Sequence, residues 1–116
     1  MLPGLVGWRP FDLSFLIEGL PNTGICLDTG HAQISGVLEV ILKTLKDKII
    51  AFHLSDTYDS VDRHLIPFEG TIDWSKFREK ALDGKGPELL TFETRDRGNL
   101  PKALQEIKTA FRKLIQ

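Results

Sequence analysis

Three short apolar runs, each followed by a segment of helical period, organise the chain. Residues 23–28, 49–55 and 88–94 read as buried strands. Behind the first run, Ile34, Val37, Leu38, Ile41 and Leu45 recur on one helix face. Lys43, Lys46 and Lys48 gather at the end of that helix, where its dipole favours positive charge. A long loop follows the second run and leads to Asp73, placed as an N-cap for a helix with Trp74, Phe77, Ala81 and Leu82 on one face. The third run passes through Gly98 and Asn99 to Pro101 in a first helical turn, with Leu104, Ile107, Phe111 and Leu114 as the apolar stripe. A shorter helix over residues 11–20, stopped by Pro21, Asn22 and Gly24, precedes them all. The order α-βα-βα-βα predicts an α/β fold with a parallel sheet.

Successive side chains of a strand point to opposite faces. One parity here is bulky and apolar: Ile25 and Leu27; Ile50, Phe52 and Leu54; Leu90 and Phe92. The other is small or polar: Gly24, Cys26 and Asp28; Ala51, His53 and Ser55; Thr91 and Glu93. Helices must cover the apolar side, so the second set is expected to line an interior. Each strand then carries an ionisable group near its C-terminal end, the end at which open α/β sheets and (β/α) barrels assemble their active sites.

Composition narrows the partners. A length of 116 residues predicts a single domain, and 41% hydrophobic with 27% charged residues is enough for a core. Fifteen Lys and Arg against 16 Asp and Glu give a net charge of −1, so no nucleic-acid or anionic-membrane partner is expected. No apolar run approaches the roughly 20 residues that span a bilayer, and the N-terminus lacks a signal-peptide layout; a cytoplasmic location is expected. The single cysteine, Cys26, excludes an internal disulfide and a thiolate zinc cluster, and reads as a small filler of the interior. Any metal site must use histidine and carboxylates.

All three histidines, His31, His53 and His64, are predicted at strand ends or in the loops beyond, none on a helix. Asp28 and His31 flank Gly30, which is expected to let the chain turn tightly enough for both side chains to reach one point. His53 and Asp56 follow on the next strand end, Asp62 and His64 on the loop after it, and Glu93 on the last strand. Neighbouring strands lie about 4.8 Å apart, which would bring Asp28, His53 and Glu93 together. One imidazole and two carboxylates suit Mn²⁺, Mg²⁺, Co²⁺ or Zn²⁺. Plainer readings stand beside this one. Asp28 also reads as a helix cap, His53 as a hydrogen-bonded strand-end histidine, Asp62 and His64 as solvated loop residues, Asp56 as a turn former, and Trp74 and Phe77 as helix core. Glu93 resists a plain reading, because a carboxylate buried in an apolar strand needs a cation or strong donors.

Four stretches in register, CLDTGHA at 26–32, FHLSD at 52–56, DRHLIPFEGTIDW at 62–74 and FET at 92–94, resemble the C-terminal part of the xylose isomerase-like TIM-barrel superfamily. That superfamily contains sugar isomerases and epimerases and the endonuclease IV-like enzymes. The resemblance implies a partial (β/α) barrel, about three parallel strands corresponding to strands six to eight, completed by self-association or by a complementing N-terminal half. By the same resemblance Asp28, His53 and Glu93 match metal ligands of the sugar epimerases and His31 a substrate contact. In the endonuclease IV-like branch Asp28, His31, His53, Asp62, His64 and Glu93 would all match zinc ligands. The common Pro-Gly-Glu-Gly turn stands here as Pro67-Phe68-Glu69-Gly70.

The activity so implied is that of a divalent-metal-dependent sugar or sugar-phosphate isomerase or epimerase. Glu93 would exchange a proton beside a polarised carbonyl and His31 would orient a hydroxyl. A second glutamate of such enzymes would lie on a strand before Met1, so the chain alone is expected to be inactive. Two alternatives remain at this stage: an endonuclease IV-like zinc phosphodiesterase acting on abasic DNA, and a non-catalytic barrel half that works only by assembly. Enzyme or not is left open by the sequence.

Overall fold

The computed structural model describes residues 2–87 and 89–116; Glu88, read from sequence as the start of the third strand, lies outside them. A helix α1 (Pro10–Ile17) comes first, then β1 (Ile25–Asp28), α2 (Thr29–Ile34), α3 (Leu38–Thr44), a 3₁₀ turn at Lys46–Lys48, β2 (Ile49–Leu54), α4 (Trp74–Ala81), β3 (Leu89–Phe92) and α5 (Leu100–Ile115). The strands form one parallel sheet in the order β1-β2-β3. This is the α/β arrangement of a partial TIM barrel, as the alternating pattern predicted. Asp73 caps α4 as the sequence predicts, its Oδ1 accepting from the Lys76 N–H at 3.0 Å, and the structure adds Asn99 as the cap of α5, its Oδ1 accepting from the Lys102 N–H at 3.1 Å.

The helix expected across residues 34–45 is two helices. Gly36 at φ +68° ends α2, because a left-handed residue cannot continue a right-handed helix, and Val37 N–H returns to the Ala32 carbonyl at 2.9 Å. Its apolar face survives the break, with Leu38, Ile41 and Leu42 buried.

Strand parity holds in β1, where Ile25 and Leu27 are buried and Cys26 is exposed, so Cys26 is not the interior filler expected of it. It fails at the start of β2. Ile25 pairs with Ile49 but Cys26 pairs with Ala51, so the register shifts past Ile50. Ile49 therefore takes the core position, and Ile50 is 60% exposed over Gly24, where any Cβ would collide with it. The core runs through Phe52, Leu54, Trp74 and Phe77 between sheet and helices, the Phe52 and Phe77 rings edge to face at 5.1 Å.

In α5 the buried positions are Ala103, Ala110 and Leu114; of the predicted stripe, Leu114 is buried and Ile107 half-buried, while Leu104 and Phe111 are exposed. Two alanines bring the helix close to its neighbours. Leu104 is 50% exposed; Phe111, 38% exposed, still sets its ring edge to face against Phe92 of β3 at 6.1 Å, and β3 pairs only with β2 among the described residues. Phe11 and Phe15 of α1 are likewise exposed. No helix among the described residues is long and apolar enough to cross a membrane.

Candidate metal centre

The register sets Asp28 directly beside His53, and Glu93 N–H continues the β3 ladder by donating to the Leu54 carbonyl at 3.1 Å. Alternation then puts Asp28, His53 and Glu93 on one face at the C-terminal end of the sheet. Their ligand atoms all lie within 4.8 Å of one another, and His53 Nδ1 is 2.9 Å from Glu93 Oε2. Glu93 is not the buried carboxylate expected: its side chain is 45% exposed. Asp28 is both cap and candidate ligand. Its Oδ1 accepts from the His31 N–H at 2.8 Å and so starts α2 at Thr29. For that reason His31 sits on a helix, contrary to the expectation that no histidine does.

A second trio stands next to the first. His31 Nε2 is 3.0 Å from Asp62 Oδ2 and His64 Nε2 is 2.9 Å from the same oxygen, all three half-buried. His64 Nδ1 lies 2.8 Å from the Glu93 carbonyl, which ties the loop to the end of β3. All six residues singled out in the sequence are thus gathered into two adjacent groups.

Burial and crowded carboxylates shape the electrostatics of the site. Burial raises the Asp28 carboxyl above its ordinary value, and the Glu93 carboxylate adds to the rise against the opposing His31 N–H. Burial by itself would lower the His64 imidazole. The Glu93 carbonyl and the charges of Asp62 and Glu93 outweigh it, and the net direction is up. The Cys26 thiol is raised by partial desolvation and by the Asp28 and Glu93 carboxylates, which favours the thiol over the thiolate. A divalent cation would relieve the carboxylate repulsion, and both donor sets, two carboxylates with one imidazole and two imidazoles with one carboxylate, fit such an ion.

Two supports were not legible in the sequence. Thr29 Oγ1 accepts from the Ser55 N–H at 3.0 Å and donates to the Ser55 carbonyl at 2.7 Å, latching the ends of β1 and β2. Gly30 lies against the same residue, and its backbone has no positive φ: a Cβ there would collide with the Ser55 hydroxyl. Asp56, expected as a turn former, is fully buried and collects hydrogen bonds from across the following loop. Thr29 and Ser55 are ordinary polar residues until the strands pair, and the donors to Asp56 are scattered over the loop.

Parallel strands with their ionisable residues gathered at the C-terminal ends define a (β/α)-barrel fragment, and the chain belongs to the xylose isomerase-like TIM barrel family, whose model matches residues 3–114. It is similar to an uncharacterized protein of Sinorhizobium fredii, y4fM, at 36% identity over a stretch covering 61% of this chain and 23% of that protein. The chain thus matches less than a quarter of that relative's length. No solved structure matches it significantly.

Proposed function

We propose that the chain supplies the C-terminal three strands of a divalent-metal-dependent sugar or sugar-phosphate isomerase or epimerase. The observation that carries this reading is the convergence of Asp28, His53 and Glu93 at the sheet's C-terminal end. These three would hold the ion, which when bound supplies Lewis-acid polarisation of a carbonyl. Glu93, exposed to the inner face, moves a proton at the carbon beside that carbonyl, and His31, anchored by Asp28, orients a substrate hydroxyl. The exposed apolar faces of α1 and α5 flank the two ends of the sheet, and the barrel is completed either by a second copy or by an N-terminal half.

The His31–Asp62–His64 trio supports a second reading, an endonuclease IV-like zinc phosphodiesterase, in which both groups hold zinc. The net charge of −1 weighs against a DNA substrate. Metal content of the assembled protein, together with paired assays of ketose epimerisation and abasic-site cleavage, separates the two. One Mn²⁺-like ion with epimerisation supports the first; three zinc ions with cleavage replace it by the second. Absence of any divalent binding would refute both.

A further inference from the structure

The Asp56 side chain makes more hydrogen bonds than any turn requires. Oδ1 accepts from the N–H groups of Thr57 at 2.8 Å and Ile72 at 3.2 Å. Oδ2 accepts from Phe68 N–H at 3.1 Å, Gly70 N–H at 3.0 Å and the Trp74 indole N–H at 2.7 Å. Its backbone pairs in both directions with Leu65, at 2.9 and 3.0 Å. Asp56 stands two residues past the end of β2, next to Ser55, which Thr29 latches to β1, so it transmits the position of the sheet to the middle and far end of the loop that carries Asp62 and His64.

That loop needs holding. His64 sits at φ +50° and Phe68 at φ +81°, left-handed conformations that side chains other than glycine keep only where their surroundings over-determine them. Leu65, paired with Asp56, adjoins the first, and the Phe68 N–H itself donates to Asp56. We propose that Asp56 is the positioning residue of the His31–Asp62–His64 trio: its buried carboxylate folds the loop into the one shape that sets Asp62 and His64 against His31. The metal reading enters only through the use of zinc as a probe of the trio. Two acceptor oxygens are what matter, since an asparagine of the same shape would turn an N–H₂ toward the backbone and indole donors gathered there.

The test compares the full chain with Asp56→Asn by zinc titration and amide hydrogen exchange, with the core truncation Leu114→Ala as the control for general destabilisation. Asp56→Asn should weaken zinc at the loop trio by about 10- to 100-fold while leaving the Asp28–His53–Glu93 group near its wild-type affinity. Amides of residues 62–65 should exchange at least about tenfold faster, with β1 and β2 unchanged. Leu114→Ala should show no such selectivity. If Asp56→Asn fails to fold, Trp74→Phe, which removes one donor and keeps a ring in the core, should give the same pattern at smaller amplitude. Wild-type zinc binding and exchange at the loop in these variants, or equal loss at both groups as in a general destabilisation, overturns the proposal. A wild-type chain that takes up no zinc refutes the metal reading, and the exchange pattern then decides the positioning role alone.

Discussion

Replacing Gly70 by alanine tests how tightly the loop is built around Asp56. Gly70 is not in the left-handed region; the obstacle to a side chain is space. An added Cβ would lie 2.3 Å from Asp56 Oδ1 and 2.3 Å from the Thr57 carbonyl oxygen, one a carboxylate fixed by five donors and the other backbone. Neither can rotate away. The Thr57 carbonyl is itself held by the Thr71 N–H at 2.8 Å and the Thr71 hydroxyl at 3.0 Å. Relief requires the loop to move off the carboxylate, with loss of at least two hydrogen bonds to a charged group at about 1.5–3 kcal/mol each. The lower chain entropy of alanine in the unfolded state returns about 0.4–1 kcal/mol. The net cost is therefore about 2–5.5 kcal/mol, a large part of the roughly 5–15 kcal/mol that holds a domain folded. For a chain of this length that lowers Tm by ~8 °C or more. Urea denaturation followed by far-UV circular dichroism measures it, with Gly84→Ala as reference: Gly84 has φ +83° but open space, so its substitution costs dihedral strain only, about 1 kcal/mol. A Gly70→Ala loss no larger than that of Gly84→Ala would refute the steric account.

Other consequences can be checked separately. The Asp28 carboxyl is raised in the folded state, so the native protein holds its proton above the ordinary value of 3.8 while the unfolded chain has lost it. Stability of the metal-free protein should fall as pH rises through that window. Asp28→Asn should abolish this slope, stabilise the metal-free chain at neutral pH, and weaken divalent-ion binding at least about tenfold in calorimetric titration. Phe68 combines a left-handed backbone with ring packing on Trp74 at 5.8 Å and a Lys113 ammonium over its face at 4.1 Å. Phe68→Ala loses the packing and keeps the strain, so Phe68→Gly should prove more stable than Phe68→Ala by about 1 kcal/mol in chemical denaturation, against the usual order of these two residues. The shift in β2 register predicts that Ile49→Ala costs about 2–4 kcal/mol and Ile50→Ala under about 1 kcal/mol; the reverse order would refute the register.

The sequence by itself determined the alternation of strands and helices, the parallel sheet, the cap at Asp73, and all six candidate ligands, because periodicity, capping chemistry and strand-end placement are local properties of the chain. Tertiary structure decided the rest. A register shift invisible to alternation exchanged Ile49 for Ile50 in the core, and two alanines join Leu114 as the buried residues of α5 while Leu104 and Phe111 stay exposed. It also decided that the ligands form two groups rather than one, since the loop geometry that swings Asp62 and His64 onto His31 is fixed by the donors gathered on Asp56. Those donors are mostly backbone N–H groups, identical at every residue but proline, so no side-chain pattern announces where they converge.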